Sequence, residues 1–398
     1  MRRFIFYTLL QGLILFLLSC AGEKKDVSYQ IPADVNIREC SLVSSEGGEH
    51  FAFINESAEG EQLVYDGKKG EVYTVIEAIS MSPNGTNYAY LAVNGKSEII
   101  LKNEKEIARY DEGTVIRQGN RKTLQLLGDG SLIYTKRAPK KMKKVMKDGK
   151  PIDNSPYSTM PEVSKDGKHL LYWAVDGTGD FLVFDGKRKK IDGIPLFLSI
   201  SGDGAHYGAV LSNGKDKNSV VIDGDEKLTF DSRLPVEQFI LSEKGTHYIL
   251  LQNDLATGGF TVKFDDKIII VAGKVFRNSF AFSMDDKHYG FVMVKPDAKK
   301  VRIVLDGDEI PSFDPDYSNI NECFTEGRKL VFDPTGEHLL YVAGAGTYQI
   351  VALDQKVQCR FDLYNTVIYE PFFSKDKEVC FLILDKIKKE IIMVSKGI

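Results

Sequence analysis

Residues 82–91 (SPNGTNYAYL) contain the pattern that decides the fold, a tight turn followed by an apolar strand rich in tyrosine. The same pattern, Ser-x-Asp/Asn-Gly and then an apolar segment, recurs down the chain, and some copies are weaker than others. The last turn residue of each copy stands at position 48, 85, 130, 167, 204, 245, 286, 336 or 377, so the copies are about 41 residues apart on average. Self-similarity at such a period is typical of repeat architectures.

Each repeat carries a second signal about twenty residues after the first. An apolar strand ends there in Asp-Gly, as in residues 63–67 (LVYDG), 181–186 (FLVFDG), 220–224 (VVIDG) and 303–307 (IVLDG). Asp-Gly between strands favours a primed hairpin turn, because that turn needs positive φ at both central residues. Each repeat therefore predicts four antiparallel strands, which is one blade of a β-propeller.

We predict an all-β chain whose residues 36–398 form a single β-propeller domain. Nine copies of the turn are visible, but we expect eight blades, with seven or nine as alternatives, because one weak copy need not form a blade of its own. The last repeat ends at Ile398 without room for a fourth strand. We expect an N-terminal strand to complete that blade, since a blade needs a neighbour on each face and a ring leaves few open edges.

The repeats resemble those of WD-repeat-like propellers of the TolB type, which carry Ser-Pro-Asp-Gly-Lys followed by an aromatic-rich strand. The resemblance covers roughly residues 37–397, and residues 82–90 are its closest copy, whereas the copies that end at Asp286 and Lys377 lack the glycine. It implies a propeller fold and a scaffold role in the cell envelope. The same motif also occurs in propeller domains attached to peptidases, but the chain has no Gly-x-Ser-x-Gly elbow and no length left for a hydrolase domain.

The first 19 residues have the features of a bacterial lipoprotein signal peptide. Arg2 and Arg3 precede an apolar segment at positions 4–18, which is shorter than the roughly 20 residues of a membrane-spanning helix. The segment ends in Leu17-Leu18-Ser19-Cys20, which resembles the lipobox. The resemblance implies cleavage before Cys20 and lipidation of its thiol and new amino group, with residues 20–35 as lipidated cysteine and tether. Because several acyl chains hold a protein stably on a membrane, we expect a lipid-anchored protein.

Composition and histidine positions favour a binding protein over an enzyme. Lys and Arg total 52 against 56 Asp and Glu, so no overall basic field predicts nucleic-acid binding.

All six histidines stand two residues after the last position of a repeat turn, which indicates one structural position repeated around the fold. We therefore expect no catalytic residues, no metal site and no cofactor. The six are His50, His169, His206, His247, His288 and His338.

One cluster of positive charge interrupts the third repeat between residues 136 and 150. We expect it to project as a basic hairpin or loop that contacts anionic lipid headgroups or an acidic partner, although a solvated charged loop is the alternative. The candidate contact residues are Lys136, Arg137, Lys140, Lys141, Lys143, Lys144 and Lys147.

Four cysteines remain after Cys20, namely Cys40, Cys323, Cys359 and Cys380. Disulfides are compatible with export, and a bridge involving Cys40 would join the first strand to the last blade, but buried free thiols are equally open.

These features together predict a lipid-anchored protein of the bacterial envelope, on the outer membrane and facing the periplasm, since Ala21 rather than Asp follows Cys20. Its propeller would bind another envelope protein without catalysis. Two alternatives remain: a small ligand or an enzymatic reaction in the central channel, and a surface-exposed adhesin.

Overall fold

The computed structural model describes residues 23–38, 41–45, 47–117, 123–214, 216–254, 258–265, 267–271, 274–295, 300–310, 330–345, 348–362, 365–369, 371–374 and 378–397. The chain divides into two compact units, one of residues 33–271 and one of residues 1–32 with 272–398. The described strands form nine antiparallel sheets, six in the first unit and three in the second. The fold is an all-β propeller of four-stranded blades, as the repeats predict, with nine blades instead of the expected eight.

Blades 1 to 6 follow one another in the unit of residues 33–271. Blade 1 contains β2 (Val43–Ser44), β3 (Phe51–Ser57), β4 (Gly60–Tyr65) and β5 (Lys68–Tyr73). Blade 2 contains β6 (Val75–Met81), β7 (Tyr88–Asn94), β8 (Ser97–Lys102) and β9 (Lys105–Asp111). Blade 3 contains β10 (Leu124–Leu126), β11 (Leu132–Ala138), β12 (Met142–Lys147) and β13 (Lys150–Pro151). Blade 4 contains β14 (Tyr157–Val163), β15 (Leu170–Asp176), β16 (Gly179–Phe184) and β17 (Lys187–Ile191). Blade 5 contains β18 (Ile194–Ile200), β19 (Tyr207–Ser212), β20 (Lys217–Ile222) and β21 (Asp225–Asp231). Blade 6 contains β22 (Val236–Leu241), β23 (Tyr248–Asp254), β24 (Gly259–Phe264) and β25 (Lys267–Val271).

Blades 7 to 9 belong to the other unit, and in two of them the first strand is split into two short segments. Blade 7 contains β26 (Lys274–Val275), β27 (Ala281–Phe282), β28 (Tyr289–Lys295), β29 (Lys300–Leu305) and β30 (Asp308–Ile310). Blade 8 contains β31 (Val331–Phe332), β32 (Leu339–Ala345), β33 (Tyr348–Leu353) and β34 (Lys356–Asp362). Blade 9 contains β35 (Thr366–Ile368), β36 (Phe372–Phe373), β37 (Val379–Asp385) and β38 (Glu390–Lys396), completed by β1 (Glu23–Gln30).

The N-terminal strand β1 completes the last blade, as predicted. It pairs antiparallel with β38, from Glu23 opposite Lys396 to Gln30 opposite Glu390. Residues Glu23–Gln30 lie within the segment 20–35 that we expected to hold the lipidated cysteine and the tether, and they form this strand despite their polar sequence. Hydrogen bonding to the otherwise open edge of β38 outweighs the weak strand propensity of those residues.

The weak copies of the turn also lie between the first and second strands of complete blades, which is why nine blades form instead of eight. In blade 7 the turn ends at Asp286, whose φ of 65° shows that a residue other than glycine occupies the left-handed region there. Aspartate tolerates that region better than most residues. The missing glycine therefore weakens the sequence signal without removing the turn.

The core lies between neighbouring blades. The second strand of blade 1 is buried at five successive residues, Phe51 to Asn55, because both of its faces pack against other elements. Between blades 3 and 4, Ile133 and Val145 of one blade pack with Tyr172 and Val183 of the next. The outer strand β17 is exposed at four successive positions. Each blade thus depends on its neighbour to bury its faces.

Candidate functional site

Each of the six histidines hydrogen-bonds an aspartate and so joins the two turns at one end of its blade, an arrangement that we name the latch and that blade 5 illustrates. His206 Nδ1 lies 2.6 Å from Asp223 Oδ2, and the other carboxylate oxygen of Asp223 accepts a hydrogen bond from the Tyr207 amide at 3.1 Å. Ser201 Oγ accepts the backbone amide of His206 at 3.0 Å and donates to Asp203 Oδ1 at 2.6 Å. Ser201 thus contacts both the backbone of His206 and the carboxylate of Asp203, and these hydrogen bonds stabilise the two turns.

The same histidine–aspartate contact occurs in six blades. The distances from Nδ1 to the carboxylate are 2.7 Å for His50–Asp66, 2.7 Å for His169–Asp185, 2.6 Å for His206–Asp223, 2.5 Å for His247–Asp265, 2.7 Å for His288–Asp306 and 2.6 Å for His338–Asp354. The hydrogen bond with Asp354 raises the pKa of His338. The six histidines thus occupy one repeated structural position, as their places in the sequence indicate.

The latch also fixes the distance between consecutive blades. A Cβ added to Gly85, in the first turn of blade 2, would lie 2.4 Å from Cδ2 of His50 in blade 1. The same relation joins Gly204 with His169 and Gly245 with His206. These glycines also have φ near +70°, which disfavours other residues. The histidines and glycines of the repeat are therefore parts of the blade-to-blade packing.

The predicted basic cluster of blade 3 divides into two parts in the structure. Six of its residues lie at the connected ends of β11 and β12, and we name them the basic hairpin: Lys136, Arg137, Lys140, Lys141, Lys143 and Lys144. Lys147, the seventh predicted residue, is the last residue of β12 and lies at the opposite end of the blade, beside the Asp148-Gly149 turn. The connection itself comprises only Pro139–Lys141, so most of the cations are strand residues.

Like charges face each other across the basic hairpin. Lys136 is opposite Lys144, and Arg137 is opposite Lys143, in the antiparallel register of β11 and β12. Like charges directly opposite destabilise a strand pair. At the tip, Lys140 and Lys141 are exposed and both have positive φ, at 60° and 61°. Non-glycine residues rarely occupy that region, so the hairpin carries both electrostatic and conformational strain.

Some of these cations have internal contacts that limit the strain. Lys136 Nζ lies 4.8 Å from the centroid of the Tyr110 ring, and Arg137 Nε donates to the Gly113 carbonyl at 3.0 Å. Lys144 Nζ donates to the Ser155 carbonyl. Lys140 and Lys141 extend beyond these contacts into solvent, and they give the hairpin an exposed cationic tip.

A buried ion-pair network that no sequence motif indicates lies beside this hairpin. The side chain of Glu98, on β8, has no exposed surface and accepts hydrogen bonds from the amides of Gly113 and Val115, both at 2.7 Å. Arg117 binds the same carboxylate and also Glu77. These residues come from β6, β8 and the connection to blade 3, and no sequence spacing links them. The network holds that connection beneath the basic hairpin, since Arg137 bonds Gly113.

The structure describes two of the five cysteines, Cys359 and Cys380. Cys359 is disulfide-bonded, whereas Cys380 is a buried free thiol whose pKa is raised by burial, so these two are not bonded to each other. The predicted lipidation site Cys20, together with Cys40 and Cys323, lies outside the described residues.

Within the described ranges, no group of three or more His, Cys, Asp and Glu side chains is arranged to hold a metal ion. The part of the chain that the structure describes also contains no helix long and apolar enough to cross a membrane.

Comparison with known proteins finds other propellers among the solved structures. No family model matches the chain, and no curated protein matches it. Among solved structures it is similar to the Dos1 propeller, at 11% identity and a TM-score of 0.45, with 96% of each chain covered. It is also similar to the WD40 domain of SCAP from fission yeast, at 10% identity and a TM-score of 0.43, covering 94% of this chain and 98% of that one. The β-propeller domain of the Trilobed protease from Pyrococcus furiosus matches at 13% identity and a TM-score of 0.37, covering 68% and 96%. The nine four-stranded sheets make the chain a β-propeller, and the solved structures similar to it include a WD40 domain.

Proposed function

We propose that this chain is a bacterial envelope lipoprotein, anchored to the outer membrane through Cys20, whose TolB-like propeller binds another protein without catalysing a reaction. The apolar segment at positions 4–18 and the Leu17–Cys20 sequence support the anchor. The engagement of all six histidines in blade latches supports a structural use for the residues that most often carry catalysis.

The basic hairpin is the observation that carries the binding role. Its cross-strand pairs of like charge and its two left-handed lysines reduce the stability of the free protein. An acidic surface on a partner would neutralise the facing cations and relieve the repulsion on binding. Complementary charge also accelerates encounter and selects among partners. We therefore propose that the hairpin binds an acidic patch on a second envelope protein.

The test is a crosslinked pull-down of the mature, lipidated protein from its own membranes. The variant Lys140→Glu/Lys141→Glu/Lys143→Glu reverses the charge at the tip and should lose the partner. The matched control carries Lys386→Glu/Lys388→Glu/Lys389→Glu, which reverses three lysines at the corresponding hairpin of blade 9 and should retain it. Equal capture by both variants would contradict the assignment of the hairpin.

The membrane anchor is tested separately from the partner. A Cys20→Ala variant should leave the membrane fraction, and its persistence there would contradict lipidation at this residue. Vesicles of anionic lipid distinguish a headgroup from a protein. Binding of the non-lipidated propeller to such vesicles through the hairpin, with no protein captured from membranes, would replace the protein partner by the lipid surface.

A further inference from the structure

At two junctions between consecutive blades, a pair of aromatic side chains fills the space at the end that carries the latches. In blade 1, Tyr65 is the last residue of β4, and its ring stacks on Tyr88, the first residue of β7, with centroids 4.2 Å apart. The Tyr65 hydroxyl donates to the Gly85 carbonyl at 2.7 Å. Between blades 4 and 5 the same positions hold Phe184 and Tyr207, with centroids 5.0 Å apart.

The junction between blades 3 and 4 lacks both rings. Lys147 stands at the position of Tyr65, and Leu170 stands at the position of Tyr88. A cavity of about 430 Å³ occupies this junction, within the range of about 300–1,000 Å³ that is usual for small-molecule sites. Its wall includes Asp129, Lys147, Gly167, Leu170, Tyr172 and Asp185.

At the preceding junction, between blades 2 and 3, the corresponding lysine bonds across the space between the blades. Lys102, the last residue of β8, donates to the Gly130 carbonyl at 3.0 Å and to Asp148 Oδ1 at 2.8 Å. At the next junction the Gly167 carbonyl already accepts the Gly128 amide at 2.6 Å. Lys147 Nζ instead lies 3.8 Å from Asp129 Oδ2, which is longer than a hydrogen bond. Its ammonium therefore remains at the cavity with donor capacity available to a ligand.

The remaining polar groups of the wall are largely engaged within the protein. The Tyr172 hydroxyl donates to Asp153 Oδ2 at 3.0 Å, and Asp185 binds His169. Leu170 and Tyr172 are buried and present apolar surface. A cation beside buried apolar side chains is suited to a ring that carries an anionic group.

We infer that this cavity binds a small aromatic carboxylate, whose ring takes the place of the missing Tyr65-type side chain and whose carboxylate pairs with Lys147. The junctions of blades 1 and 2 and of blades 4 and 5 show that an aromatic ring fits between blades at this position. This inference does not depend on the proposed partner at the basic hairpin, which lies at the opposite end of blade 3.

The test is calorimetric titration of the full chain with 3-phenylpropanoate, phenethylamine and butanoate. We expect binding of 3-phenylpropanoate, with the other two much weaker because each lacks either the anion or the ring. The variant Lys147→Met keeps the space and removes the charge, and it should weaken binding by about tenfold or more. Lys150→Met, on the exposed strand β13 of the same blade, is the matched control and should bind like the unaltered chain.

A second variant tests the position of the ring. Lys147→Phe/Leu170→Tyr restores the aromatic pair of blades 4 and 5, so it should fill the cavity, abolish binding and raise the melting temperature. Unchanged binding by this variant would overturn the inference, because the ligand would then lie elsewhere. Tighter binding of phenethylamine than of 3-phenylpropanoate would overturn the role of Lys147, and absence of binding by the unaltered chain would overturn the site.

Discussion

Replacement of Glu98 by glutamine should destabilise the propeller by about 3 kcal/mol. The carboxylate is fully buried and accepts two amides, at 2.7 Å each, besides Arg117. Glutamine retains one acceptor oxygen but turns an N–H₂ group toward the second amide, and a buried donor without an acceptor costs about 1–3 kcal/mol. The weakened ion pair adds to this, and breaking a buried pair typically costs about 3–5 kcal/mol. Because the Arg117 side chain is 37% exposed, we expect the lower end of that range.

Urea unfolding measures the global effect, and hydrogen exchange at Gly113 and Val115 reports the local one. The control is Glu106→Gln, which breaks an exposed pair with Arg109 on the same blade and should unfold like the unaltered chain, since exposed pairs contribute little. Loss of protection at the two amides should accompany the drop in stability. Equal stability of the two variants would refute the reasoning that burial makes this pair important.

Three other changes follow from the latches and the thiol. Gly85→Ala should destabilise the protein by roughly 1 kcal/mol more than Gly95→Ala. Both glycines have positive φ, but only at Gly85 would the added Cβ lie 2.4 Å from the His50 imidazole of blade 1. Equal melting temperatures of the two variants would contradict this. The hydrogen bond with Asp354 raises the pKa of His338 in the folded protein. The contact of the protonated ring with Asp354 therefore stabilises the fold at pH values below the unfolded pKa of about 6.5. This stabilisation is lost as the pH rises through the raised pKa of the folded protein. Asp354→Asn should therefore destabilise more at about pH 6 than at about pH 9 in urea unfolding, and an equal loss at both would exclude the charge effect. Burial of the Cys380 thiol should prevent alkylation by iodoacetamide until the chain unfolds, as peptide mapping would show, whereas labelling of the native protein would contradict its burial.

The repeats predicted the blades well because each blade is built from local contacts. The Asp-Gly turns illustrate this, since Asp185 and Gly186 both adopt the positive φ that their sequence predicts, at 47° and 79°. The count of blades was harder to predict. The copy that ends at Asp286 lacks the glycine and gives a weak signal in sequence, but it still forms a turn once the neighbouring strands pair.

The propeller class, the structural use of the histidines and the basic hairpin of blade 3 were all predictable from the repeats, because turns and alternating strands are encoded within a few residues. The fold was needed to show that Glu23–Gln30 are the N-terminal strand, that Lys136 faces Lys144, that Glu98 holds the connection to blade 3, and that Lys147 borders a cavity. Each of these depends on pairing or packing between segments that come together only in the fold. Register and the filling of space between blades are long-range properties, and a single sequence carries no periodic signal for them.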